Sequence, residues 1–326
     1  MILLTRGSEL AIVQTEIIAA PLRSLGHDVE IKLVSTRGDR DTVSPLRSFG
    51  GSGAFSSCLE DALLRGEGDG AVHSLKDLPS TCGEGLGIAA VSRRDAPGDL
   101  FLCSERHDLY SLPSGAVVGT SSPRRRAQLL RARPDLEVRE LRGNIPTRIR
   151  KLEEGQYDAV VLARAGIERL NLSVPHASVL PFLPAPCQGI VALEATLDGE
   201  LFQMAEMITD RAAHMCAAAE RSLLRTLGVG CHVPFGALAV IEDGVMLLRA
   251  EILEADGGKS TELSIEADVA TLEEASAAGR ALAEEFFRDP LAGGLLKAFA
   301  SEQPLKREGR PVQIEVRTAL AGGGTR

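Results

Sequence analysis

Residues 116–163 read AVVGTSSPRRRAQLLRARPDLEVRELRGNIPTRIRKLEEGQYDAVVLA. Runs rich in apolar and β-branched residues at 116–119, 136–141 and 158–163 predict strands, and the two intervals between them carry helix-start signals. Ser122 is a candidate N-cap with Pro123 in the first helical position, while Gly143-Asn144 permits a tight turn before Pro146 opens a second helix. Strands alternating with helices in this way predict an α/β lobe on a largely parallel sheet.

The same alternation runs through the residues before it. Residues 1–4 predict a strand, Leu10, Val13 and Ile17 give the next stretch an apolar helical face, and strands at 29–35, 70–73 and 88–91 flank a helix at 59–64. Two such lobes bind ligands where the loops from their strand ends converge. After about residue 210 the pattern changes. An Ala-, Leu- and Arg-rich helix precedes strands at 237–241, 245–253 and 261–267, separated by Asp243-Gly244 and Asp256-Gly257-Gly258, and a helix at 272–287 follows. A small α+β domain is expected there, with the residues ending AGGGTR as a loose tail.

Charge points to the ligand. The stretch from Gly119 to Lys151 holds ten Lys/Arg against three Asp/Glu, inside a 326-residue chain of formal net charge -9. Like charges so close repel, and a folded domain tolerates them best when anions are delivered among them. Arg124, Arg125 and Arg126 fall at the positive end of a helix macrodipole, which disfavours each cation by up to ~1 kcal/mol but favours a bound anion. Arg142 and Arg148 flank a second helix start, and Arg6 with the candidate N-cap Ser8 marks a third. Three junctions of one kind predict an anion receptor, whereas Arg131, Arg133 and Arg150 read as solvated. No Phe, Tyr or Trp lies between Ser111 and Gln156, aromatics make up 3% of the chain, and the pI is ≈ 5.3. That disfavours a nucleic-acid groove and favours a small molecule with several carboxylates or phosphates.

Two further segments carry chemistry. In Ser74-Leu75-Lys76-Asp77-Leu78-Pro79, Asp77 is either a turn-capping carboxylate before Pro79 or the lone acid in a basic cleft, able to stabilise a cation and pass protons. In Gly228-Val229-Gly230-Cys231-His232-Val233-Pro234, Cys231 is either a small buried side chain or a thiol on a loop whose glycines let a partner approach for covalent attachment. The six cysteines show no C-x-x-C pair and read as reduced thiols, and His214, Cys216, Cys231 and His232 lack zinc-ligand spacing, so no metal is expected. No apolar run approaches membrane-spanning length and the first residues form no signal-peptide core, so a soluble, cytoplasmic protein is expected.

The segments TRGSELA, TRGD at 36–39, VHSLKDLP, GTSSPRRR, RGNIPTR, YDAVVLARAG and GVGCHVPFG occur here in order over roughly residues 1–290. Together they resemble the porphobilinogen deaminase (hydroxymethylbilane synthase) family. The resemblance implies an enzyme that joins four porphobilinogen molecules head to tail, releasing ammonia at each step, to give hydroxymethylbilane for tetrapyrrole synthesis. It also implies a dipyrromethane cofactor held by a thioether to Cys231, with Asp77 as the catalytic residue. Lys76, Ser121, Arg124, Arg125, Arg142 and Arg148 match cofactor-binding positions, and Arg6, Ser8, Arg142 and Arg148 substrate-binding ones. Each porphobilinogen brings an acetate and a propionate, which suits an arginine-rich cleft.

The fold implied is two lobes like those of type II periplasmic binding proteins plus the small C-terminal α+β domain. The division expected is 1–92 with 188–207 as a discontinuous first lobe, 98–187 as the second, 211–300 as the C-terminal domain and 301–326 as a tail. The family further implies a monomer without nucleic-acid or membrane partners. Departures from its pattern are Ser52 and Ser57 in place of lysines, Cys187-Gln188-Gly189 in place of Gly-Gln-Gly, and the added charges of Arg126 and Arg164. Two other classes fit the lobes alone: a polyanion-binding protein without turnover, and a nucleic-acid-binding regulator, the latter disfavoured by the acidic pI.

Overall fold

The computed structural model describes residues 1–34, 57–174, 176–230 and 232–299. The TRGD segment at 36–39, Ser52, Cys231 and the tail from 301 lie outside the described residues. The strands are β1 (Ile2–Arg6), β2 (Glu30–Val34), β3 (Gly70–Ser74), β4 (Leu86–Val91), β5 (Asp99–Cys103), β6 (Val117–Gly119), β7 (Glu137–Arg139), β8 (Ala159–Ala163), β9 (Ala177–Val179) and β10 (Val191–Thr196). They form two five-stranded sheets, ordered β2-β1-β3-β10-β4 and β7-β6-β8-β5-β9.

The two orders coincide once β6, β7, β8 and β9 are matched with β1, β2, β3 and β4, and β5 with β10. In each sheet one strand, β10 or β5, runs antiparallel to its neighbours. Each of these is the first strand the chain forms after crossing from the other lobe, so the sheets exchange a strand. Two lobes that exchange a strand are the arrangement expected from the resemblance.

Helices cover both sheets. Lobe 1 carries α1 (Glu9–Ser24), whose N-cap Ser8 accepts from the Ala11 amide, and α2 (Ser57–Leu64). Lobe 2 carries α3 (Pro123–Ala132), α4 (Ile145–Glu153) and α5 (Arg164–Arg169). The chain then returns through β10 to α6 (Glu200–Met204) against the first sheet. The C-terminal unit consists of α7 (Arg211–Leu227), the antiparallel strands β11 (Phe235–Glu242), β12 (Val245–Leu253) and β13 (Ser260–Asp268), α8 (Leu272–Arg288) and α9 (Pro290–Phe299). Its core closes around Phe235 and Phe286, with ring centroids 5.8 Å apart. Asp243 and Gly244 both take positive φ in the hairpin turn, as Asp-Gly predicts.

The sequence pattern does not mark β5, β9, β10, α5, α6 or α9. Asp99–Cys103 is buried along its whole length, so it lacks the alternation that betrays a half-exposed strand. Ala177–Val179 is three residues at a sheet edge, and α9 contains Gly293 and Gly294 and owes its helix to burial of Leu295 and Leu296.

The chain crosses between the lobes twice, and the crossings are bonded to each other. The Ser92 amide donates to Val191 O at 2.9 Å and the Asp95 amide to Gly189 O at 3.0 Å. Gly189 has φ +93, and a Cβ there would lie 2.4 Å from Asp95 O, so the approach requires glycine. Cys187, where the resemblance implies glycine, takes φ 62 in the left-handed region.

Buried carboxylates on two sides help seat the C-terminal unit. Glu220 on α7 is fully buried and accepts from both the Arg94 guanidinium of the first crossing, at 2.8 and 2.9 Å, and the Ala239 amide of β11, at 2.7 Å. The Cys187 amide of the second crossing donates to the same carboxylate. On the other side, Glu251 of β12 pairs with Arg131 and accepts from Gln128 of α3. Arg131 is therefore a domain contact and not a solvated residue. Arg133 is likewise engaged, with Asp135 and with carbonyls of Leu109, Tyr110 and Leu112, and Arg150 is exposed beside Glu154. Short-range pattern hides these partners because they come from other elements.

Candidate active site in the interlobe cleft

A cleft of ≈ 980 Å³ lies between the lobes, at the carboxyl ends of β1, β3 and β8. The end of β1 brings Arg6, and Ser8 follows at the start of α1. The end of β3 continues into a single 3₁₀ turn, Leu75–Asp77, anchored by fully buried Leu75 and by its amide donating to Ile190 O at 3.0 Å. That turn delivers Lys76 and an exposed Asp77 to the cleft. Across from them α4 contributes Arg148, with Arg142 in the loop before it.

Arg6, Ser8, Lys76, Asp77, Arg125, Arg142 and Arg148 thus meet in one cavity. Two expected residues do not line it. Ser121 Oγ donates to Leu141 O at 2.6 Å and accepts from the Leu141 amide at 3.1 Å, fixing the loop that carries Arg142. Arg124 is 4% exposed, paired with Asp99 at 2.8 Å and bonded to Gln128 and to Leu183 O. Asp99, on the unmarked strand β5, also holds Arg125 at 2.6 Å. Burial pushes the Asp99 carboxyl up, but the two guanidiniums outweigh it and hold it well below the usual carboxylate range. Of the two neighbouring arginines only Arg125 reaches the cleft, and its buried Nε has no hydrogen-bond partner.

Lining residues that sequence reasoning passed over are Gln14, Lys151, Arg169, Gln188 and a second acid, Glu9, so Asp77 is not the lone carboxylate. Gln14 donates to Ser74 Oγ at 2.6 Å and ties α1 to the end of β3. Arg169 pairs with Asp95 at 2.8 Å and donates to Gly189 O at 2.7 Å, joining α5 to both crossings. Gln188 accepts from Lys76 Nζ at 3.2 Å and donates to Asp99 at 2.8 Å, linking the Leu75–Asp77 turn to the arginine pair. Arg169 stands three residues after the YDAVVLARAG segment, and nothing local distinguishes it from a solvated helix residue.

The cations perturb one another. Burial pulls Lys76 down to about 8, with Arg125 and Arg124 adding to the fall and Asp77 and Asp99 opposing it. Burial also lowers Arg148 to about 10, with Arg125 and Arg142 adding and Asp77 opposing. The site is short of negative charge, and anions are what would restore it. Among the described residues no group of His, Cys, Asp and Glu is arranged to hold a metal.

Fold and site define a two-lobed α/β protein with a cation-rich cleft between the lobes and a third unit that bonds to the crossings. Residues 1–203 match the family model "Porphobilinogen deaminase, dipyromethane cofactor binding domain" and residues 214–288 match "Porphobilinogen deaminase, C-terminal domain". The chain is 47% identical over 261 residues to a porphobilinogen deaminase of Rubrobacter xylanophilus, covering 79% of this chain and 85% of that one. It is 44% identical over 262 residues to a probable porphobilinogen deaminase of Methanosarcina acetivorans, covering 79% and 83%. Among solved structures, a periplasmic substrate-binding protein of a Coxiella burnetii ABC transporter matches 68% of this chain and 96% of its own at 16% identity and a TM-score of 0.43. The chain belongs to the porphobilinogen deaminase family, the deaminating transferases that make hydroxymethylbilane.

Proposed function

We propose that the interlobe cleft is where porphobilinogen units are condensed, with Asp77 as the catalytic residue and Cys231 as the covalent anchor of the dipyrromethane. The observation that carries this reading is the exposed Asp77 carboxylate facing Lys76, Arg125, Arg142 and Arg148 in one cavity. The donor set fits a polycarboxylate: among the described residues Arg125 Nε is buried without a partner, and Lys76 and Arg148 bond neutral oxygens. When bound, the dipyrromethane supplies a nucleophilic pyrrole carbon that primes chain growth.

Arg125, Lys76, Arg142 and Arg148 would hold its carboxylates, and Arg6 with Ser8 those of the incoming substrate, each charge-assisted bond contributing about 1.5–3 kcal/mol. Asp77 stabilises positive charge on the pyrrole that has lost ammonia and accepts the proton displaced by carbon–carbon bond formation. Arg124 and Ser121 act one step back, through Asp99 and the Leu141 loop. In this reading lobe 1 comprises 1–92 and 188–207, lobe 2 98–187, and the cofactor-bearing domain 211–300. The working enzyme is a cytoplasmic monomer without nucleic-acid or membrane partners. No helix among the described residues is long and apolar enough to cross a membrane.

Intact mass and peptide mapping of the purified protein test the anchor, and a dipyrrole-sized addition on Cys231 is expected. Asp77→Ala should keep that addition and lose at least ~100-fold in turnover, the scale of acid–base assistance. An unmodified Cys231 after incubation with porphobilinogen would favour a binding protein without turnover, and wild-type rates in Asp77→Ala would remove Asp77 from the chemistry.

A further inference from the structure

The cations of the cleft divide by what already neutralises them. Arg125 is paired with Asp99 and Arg169 with Asp95. Lys151 is different. It is half-buried and lines the cleft, and its bond is to a neutral oxygen, Arg142 O, at 3.1 Å from Nζ. An ammonium has three donors, so two remain for a ligand. Arg148, three residues earlier on α4, behaves alike, with Nε donating to Gly143 O at 2.7 Å.

Positions three apart lie on one helix face with Cβ atoms roughly 5–6 Å apart. Arg148 and Lys151 therefore share one face of α4, and both line the cleft. Both are steadied by the same turn, whose Gly143 has φ +112 and whose Asn144 caps α4 by accepting from the Thr147 amide at 3.0 Å. A porphobilinogen ring carries its acetate and propionate on adjacent carbons, so its two carboxylates stand side by side.

We propose that Lys151 is a specificity-determining residue that, together with Arg148, receives the paired carboxylates of a single pyrrole ring. The proposal rests on the cleft being the porphobilinogen site. An aliphatic or neutral residue at 151 leaves one of the two acids without a counter-charge. Glutamine at 151 keeps a donor for Arg142 O and removes only the charge, which separates ligand binding from loop positioning.

The test is steady-state kinetics of the full-length holoenzyme with Lys151→Gln and Lys151→Arg, on porphobilinogen and on two analogues, one with its propionate and one with its acetate as a neutral amide. Lys151→Gln should raise KM for porphobilinogen about ten-fold, as loss of one charge-assisted bond requires, and leave KM for one of the two analogues, the one lacking the acid that Lys151 holds, within about two-fold of wild type. Lys151→Arg should stay within about three-fold on all three. A Lys151→Gln enzyme with wild-type KM on porphobilinogen overturns the proposal. So does an equal loss on all three substrates, or a fall in kcat shared by Gln and Arg, because either marks a structural role. The dipyrrole addition on Cys231 and the Asp77→Ala result stand apart from all of these, so the cleft assignment survives or fails by itself.

Discussion

An ammonium set among guanidiniums is a pH-dependent receptor, and Lys76 is that group. Its proton leaves as pH rises through about 8, because burial and the neighbouring arginines favour the neutral amine. In the unfolded chain the ordinary value is 10.5, so between about 8 and 10.5 the unfolded state holds a proton that the folded state has released. Folding stability of the cofactor-free protein should therefore rise with pH across that window. Urea melts of a Cys231→Ser variant at pH 7.5 to 10.5 will show the rise, and adding Lys76→Met should flatten it. Function should move the other way, with KM for porphobilinogen increasing above about pH 8 as the cation is lost. Of the nine site residues that the sequence assigned within the described residues, seven line the cleft and two, Ser121 and Arg124, do not. Arg124 and Arg125 looked equivalent, since both follow Ser122-Pro123, yet adjacent helical residues point in different directions and only one reaches the cleft.

The crossing elements concentrate the backbone constraints. Cys187 takes φ 62, which costs an L residue about 1–2 kcal/mol relative to glycine, while its thiol is buried against Ala217 and the crossing. Cys187→Gly relieves the first and forfeits the second, together with some unfolded-state entropy, so its stability should fall within about 1 kcal/mol of wild type. Cys187→Val adds a β-branched side chain at positive φ in a filled site and should lose about 2 kcal/mol or more. Chemical denaturation of the pair separates the two contributions. Helix starts were legible in sequence because capping is local: Ser8, Ser122 and Asn144 each accept from an amide three residues on. Strand β5 was illegible because complete burial removes the period that a pattern detects, and so Asp99, the acid that sorts the arginines, was missed with it.

For the whole molecule, Glu220 holds the three units in register. It is 0% exposed and joins Arg94 of one crossing, Cys187 of the other and Ala239 of the C-terminal sheet. Glu220→Ala strands the nearly buried Arg94 guanidinium without its counter-charge and should cost about 3–5 kcal/mol, read from urea melts. Wild-type stability in that variant would show that the C-terminal unit is seated by Glu251 and its own core instead. By itself the sequence determined the alternation of strands and helices, the helix starts, the basic character of the cleft and, through its ordered motifs, the family. Each of these depends on residues within a turn or two of one another, or on their order along the chain. Only the tertiary structure decided which cations are spent on Asp99, Asp95 and Glu251 and which, like Lys151, keep their charge for a ligand. In a low-dielectric interior an ion pair is set by distance through space, and the acids that make these pairs lie 26, 74 and 120 residues from their arginines.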